Sequence, residues 1–148
     1  MTASKGYWIV GKTKSLPKVL FALNSIIDEE SIIAFEVGLL SVDCDELYEF
    51  IDMNAISPPK DIFQGKIWPE QPFFYLPAKA NMLDDLAGIV KDISPFQVAV
   101  HLHVYSRGKA LLQWYDAFLE PIIISEEISE EKVRAFSEQL GVKYKNRS

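Results

Sequence analysis

The stretch QVAVHLHVYSRGKALLQWYD, residues 97–116, restricts the possible folds more than any other part of the chain. Val98, Val100, Leu102 and Val104 alternate with Gln97, Ala99, His101, His103 and Tyr105. A period of two marks a strand with one buried face, because successive side chains leave a pleated backbone on opposite sides. A second such run follows Ser106-Arg107-Gly108, so the segment reads as a β-hairpin. Two registers are open to it. A two-residue Arg-Gly loop would set Val100 opposite Tyr115 and Leu102 opposite Gln113, mixing polar and apolar groups on the inner face. A three-residue loop, with Gly108 left-handed in a G1 bulge, would set Tyr105 opposite Lys109, Val104 opposite Ala110, Leu102 opposite Leu112 and Val100 opposite Trp114. One face is then wholly apolar, and the other gathers His101 with Gln113, His103 with Leu111 and Ala99 with Tyr115. A slip of one residue exchanges the faces, so this parity selects the bulged register.

A hairpin late in the chain implies a mixed or largely antiparallel sheet, and the remaining pattern supplies helices for one face of it. Residues 7–10 are a short β-branched and aromatic run. Leu16, Val19, Leu20, Leu23, Ile26 and Ile27 recur at helical spacing, with Ser15 as cap and Pro17 tolerated in the first turn. Residues 32–37 form a second strand. Asp43 and Glu46 resemble a capping box for a helix carrying Cys44, Leu47, Tyr48 and Ile51 on one stripe and stopped by Asn54. Pro58, Pro59, Pro69 and Pro72 make residues 55–72 a long ordered loop or lid. Residues 73–76 are a brief strand, and Met82, Leu83, Leu86, Ile89, Val90 and Ile93 mark a third helix. Residues 121–124 are a last strand. Ser129 caps a final helix with Glu130 and Glu131 in its first turn, and Gly141 ends it in a Schellman motif. The expected architecture is one globular α+β domain over residues 1–148, a single mixed, largely antiparallel sheet with about four helices packed on it.

GYWIVGKT, residues 6–13, matches the phosphate-binding loop pattern G-x-x-x-x-G-K-[ST] letter for letter. A phosphate cradle needs small residues so that consecutive backbone N–H groups converge on the anion. Tyr7, Trp8, Ile9 and Val10 prefer an extended backbone instead, and only MTASK precedes the first glycine. The match is read as a strand, and no nucleotide or other cofactor is expected.

The length of 148 residues suffices for a core without staples, and the single Cys44 excludes an internal disulfide framework. No apolar run approaches the roughly 18–20 residues needed to cross a bilayer, and the N-terminus lacks the features of a signal peptide. Cytoplasmic residence with no membrane partner is therefore expected. The net charge of −6 is uneven. Seven of the 15 basic residues lie in two segments without any acid, 1–27 and 141–148, leaving 8 bases against 21 acids, a net of −13, in residues 28–140. Such a middle repels nucleic acid and attracts a basic protein.

His101-x-His103 is the best chemical pair, since residues two apart in a strand share a face at about 6.5–7 Å. A metal site would need a third ligand, such as Glu36 or an acid near Cys44, since the bulged register offers only Gln113, Leu111 and Tyr115 beside the pair; no metal is expected. Cys44 reads as a buried, inert thiol between Asp43 and Asp45. Residues 63–77 concentrate five aromatics among prolines, and Trp68 there either anchors a partner or folds back over the sheet. With no complete catalytic set, the expected role is non-catalytic protein binding, most concretely an acidic inhibitor or immunity-type protein for a basic partner. Its contact residues would be Trp68, Glu126, Glu127, Glu130 and Glu131 beside the His101, His103, Tyr105, Gln113, Tyr115 face. The runner-up is a small metal-dependent or Cys/His enzyme using His101 and His103 under the 55–72 loop. A third possibility is a homo-oligomer through an edge strand at residues 121–124.

Overall fold

The computed structural model describes residues 6–36, 45–56, 73–79, 81–93, 101–115 and 120–147. Along them run β1 (Gly6–Val10), α1 (Leu16–Leu23), β2 (Ser31–Glu36), α2 (Asp45–Asn54), β3 (Phe73–Pro77), α3 (Met82–Val90), β4 (His101–Ser106), β5 (Lys109–Trp114), β6 (Ile123–Ser125), α4 (Glu130–Leu140) and β7 (Lys143–Arg147). The fold is α+β with a single sheet. Its seven strands lie in the order β3-β2-β4-β5-β6-β1-β7, and every neighbouring pair is antiparallel. The parallel component of the expected mixed sheet has no counterpart among the described strands.

Local chemistry places the helix ends. Ser15 accepts the Lys18 N–H at 3.3 Å, and Pro17 occupies the first turn of α1. The helix stops at Leu23, short of the expected Ile27, and the Ile26 and Ile27 N–H groups turn back onto the Leu23 carbonyl. Ser129 caps α4, and left-handed Gly141 closes it with Val142 N–H to Ser137 O and Gly141 N–H to Glu138 O, the Schellman pair. The helices form one layer in which α1 packs between α3 and α4, with α2 beyond α3. They bury Leu20, Leu23, Leu47, Leu83, Val133 and Phe136 against Ile33, Phe35, Leu76, Leu102, Leu112 and Ile124 of the sheet.

The hairpin departs from the expected register. Arg107 and Gly108 both take positive φ, 52° and 78°, which makes a two-residue loop of the primed type, and Ser106 faces Lys109. The surplus residue sits farther along, at Leu111: Tyr105 faces Ala110, but Val104 faces Leu112, His103 faces Gln113 and Leu102 faces Trp114. A bulge inside β5 thus restores the apolar parity that the G1 bulge was expected to supply, with each partner shifted by two residues. Val100 lies outside the described residues. Two further corrections concern the far side of the sheet. Residues 123–125 are no edge, because β6 is flanked by β5 and β1. Residues 143–147 form the edge strand β7, which the sequence reading missed.

Residues 7–10 are a strand, paired on both sides. The Ile9 N–H donates to Ile122 O at 2.9 Å, and the extended, paired backbone of residues 6–10 cannot curl into a phosphate cradle. The glycine at position 6 has a structural reason of its own. Its φ is 150°, and a Cβ there would collide with the Ile124 carbonyl oxygen. Gly6→Ala should therefore cost at least about 2 kcal/mol, from strain and contact together. Gly88→Ala, on an open helix surface with nothing within 4 Å of the new methyl, should raise stability by about 0.5–1 kcal/mol. Urea midpoints of the two variants check this pair of opposite signs.

Candidate functional site

The outer face of the sheet carries one register row through all seven strands: Tyr75, Ala34, His103, Gln113, Ile123, Trp8 and Lys145. Directly opposed residues share a face, so these side chains stand side by side over about 29 Å at the usual strand spacing. Burial fades along the row. Tyr75, Ala34 and His103 are 4%, 1% and 5% exposed, Gln113, Ile123 and Trp8 are half-buried, and Lys145 is open to solvent.

Five of the expected site residues meet at its buried half. The His101 and His103 rings lie nearly parallel, 9° apart, with centroids at 6.2 Å. Tyr115 packs on His103 at 4.7 Å and on His101 at 5.8 Å, and Tyr105 meets His103 edge-on at 6.2 Å. The Gln113 amide donates to the Tyr115 hydroxyl at 3.1 Å. His103 Nδ1 accepts the Trp114 backbone N–H at 3.3 Å. Burial first, then the neighbouring His101, pulls the His103 pKa from 6.5 to about 4. Burial likewise pushes the Tyr105 hydroxyl up to about 12, with Tyr115 and Tyr75 adding to the shift. Both groups are neutral at pH 7. An imidazole that releases its proton near pH 4 is a weak general base at neutral pH. Glu36 faces His101 in the β2–β4 register, while its side chain lies outside the described part, as do Asp43, Cys44 and Trp68. Among the described residues no group of three or more His, Cys, Asp and Glu side chains gathers as a metal would require. The 55–72 loop is described only at residues 55 and 56, where Ile56 bridges to Tyr75.

Glu126, Glu127, Glu130 and Glu131 form a separate group, exposed on the turn that leads from β6 into α4. Strand directions set them at the same end of the sheet as Glu29 and Glu30, which precede β2 and are also exposed. Lys109 pairs with Glu127 at 2.8 Å and Arg107 with Glu30 at 3.2 Å. Glu130 accepts from the Tyr144 hydroxyl at 3.0 Å and lies 3.5 Å from Arg134. Such exposed pairs contribute little stability, about 0–1 kcal/mol each.

At the opposite end of the sheet a cavity of about 520 Å³ opens where β1 and β5 finish and β6 and β7 begin. Ile9, Trp114, Ile122, Leu140 and Val142 give it apolar walls, with Trp8 among them, and Lys12, Thr13, Glu120 and Lys145 stand among its polar lining. The Trp114 indole N–H is engaged with the Glu120 carbonyl at 2.8 Å. This site depends on β7, a strand beyond those expected from the sequence. The signal was present in Val142, Tyr144 and Asn146 alternating with Lys143 and Lys145, a period of two in a mostly polar stretch.

The His103 environment makes stability depend on pH. The unfolded chain takes up this proton near 6.5 and the folded protein only near 4, so the contribution is intact above pH 6.5 and declines as pH falls toward 4. By pH 4 the loss should reach about 3 kcal/mol relative to pH 7.5. His103→Asn keeps an acceptor for the Trp114 N–H without the titration, and should remove most of that difference between urea unfolding curves at the two pH values. An unchanged pH dependence in the variant would refute the assignment.

No protein-family model, curated protein or solved structure matches the chain, and its function is read from the chemistry of these residues alone.

Proposed function

We propose that this protein is a cytoplasmic, non-catalytic binding domain for a basic protein, in the manner of an acidic inhibitor or immunity protein. The observation that carries the reading is the cluster of exposed glutamates at one end of the sheet, Glu29, Glu30, Glu126, Glu127, Glu130 and Glu131. They stand on anchored backbone. The Glu127 N–H donates to Ser125 Oγ at 3.2 Å, Ile128 is buried beneath the turn, and Ser129 fixes the start of α4. A backbone already ordered before binding lowers the ordering cost of presenting these carboxylates to a cation. The neutral state of His103 at pH 7 and the engagement of its Nδ1 support a packing and binding role over proton transfer.

The near-parallel His101 and His103 rings favour a second reading, a small metal-dependent or Cys/His enzyme that completes its set with residues outside those described. Stoichiometric zinc or iron in purified protein, lost on His103→Ala, would establish it over the first.

The binding reading is tested by passing native cell extract over immobilised protein at about 0.05 M and about 0.5 M salt, beside a Glu29→Gln, Glu126→Gln, Glu131→Gln variant. The wild type should retain a basic protein at low salt only. The variant should bind it at least about tenfold more weakly, the loss expected when rim charges worth roughly 1.4 kcal/mol are removed. Retention of nothing, or equal retention by the variant, overturns the reading.

A further inference from the structure

We propose that the cavity at the β1–β7 end of the sheet binds a small organic carboxylate with an apolar ring or tail. This goes beyond the binding of a basic protein, which concerns the opposite end of the molecule.

The size and lining come first. About 520 Å³ lies within the range of roughly 300–1,000 Å³ usual for small-ligand sites, and apolar walls with a few polar groups are their ordinary composition. Here Trp8, Val10 and Val142 keep accessible apolar surface over a floor of buried Trp114, Ile122 and Leu140, which an apolar body can cover. Charge decides the rest. Val10 faces Lys143 and Trp8 faces Lys145 across β1 and β7, so two lysines of β7 stand beside the part of β1 that leads to Lys12. Lys12 and Lys145 both line the cavity, against the single acid Glu120. Two ammonium groups beside an apolar hollow suit a ligand that is oily at one end and anionic at the other. The last carbonyls of α4, which would favour a cation, are partly satisfied by the Gly141 and Val142 N–H groups. The backbone of residues 6–10 is committed to the sheet, so those residues offer this anion no cradle of N–H groups.

Octanoate and 4-phenylbutyrate are suitable probes, with 1-octanol and 4-phenylbutanol as neutral counterparts. Binding is followed by tryptophan fluorescence, because Trp8 and Trp114 line the cavity, and by the rise in thermal midpoint. At least one carboxylate should bind saturably and more tightly than its alcohol. A Lys12→Gln, Lys145→Gln variant, altered only at exposed positions, should weaken the carboxylate roughly tenfold and change the alcohol less than about twofold. Glu126→Gln with Glu131→Gln, at the far end, should leave carboxylate binding unchanged. No saturable binding of either carboxylate would overturn the proposal. So would equal affinity for acids and alcohols, or unaltered carboxylate affinity in a lysine variant that folds with wild-type circular dichroism.

Discussion

The surplus residue at Leu111 governs which way the middle of the sheet faces. Ahead of it, Ala110 stands opposite Tyr105; past it, Leu112 and Trp114 stand opposite Val104 and Leu102 beneath the helices. Without the bulge, the two-residue Arg107-Gly108 loop would have carried Gln113 into the core opposite Leu102, a buried amide with no obvious partner. With it, Gln113 joins His103 on the outer face, and the row from Tyr75 to Lys145 can form. Trp114 shows how tightly that choice is held. Its ring is buried in the core, its indole N–H donates to Glu120 O, and its backbone N–H donates to His103 Nδ1 on the other side of the sheet.

A second constraint is the seat of β1 between β6 and β7. It closes the sheet on the far side and gives the molecule two unlike ends. Glutamates collect where β6 passes into α4 and where β2 begins, and lysines collect where β1 leaves the sheet and β7 enters it. The orientation of α4 agrees with this separation, since its amino end meets Glu130 and Glu131 while its carboxyl end points toward Lys143 and Lys145. A charge distribution of this kind orients an approaching charged partner before contact.

Features set by neighbours a few residues apart were legible in the sequence: the Ser15 and Ser129 caps, the Gly141 stop, the alternation at residues 101–105, and the strand hidden in GYWIVGKT. Parity was legible too, because oily residues must share a face. The device that produces it was not, since a bulge can sit at any residue of either strand and yield the same parity. Strand order was illegible for a related reason. Nothing within residues 123–125 says that β1 will take their free side, and the period of two at residues 142–146 marks a strand without naming its neighbour. The five aromatic and polar site residues follow from parity and were found together. The cavity depends on strand order, and so was missed.

The placement of β1 also bears on how the protein is made. Residues 6–10 leave the ribosome long before residues 123–125 and 143–147, yet these are the strands they pair with. Until then β1 has no neighbours in the sheet, while the pairing of β2, β3, β4 and β5 uses only intervening chain. On a growing chain the amino-terminal strand is therefore the last to meet its partners, in a non-local pairing that carries a loop-closure entropy. In that interval the aromatic run Tyr7-Trp8-Ile9-Val10 is an unpaired, aggregation-prone ribbon, and the four lysines that surround it in residues 1–18 serve as its gatekeepers.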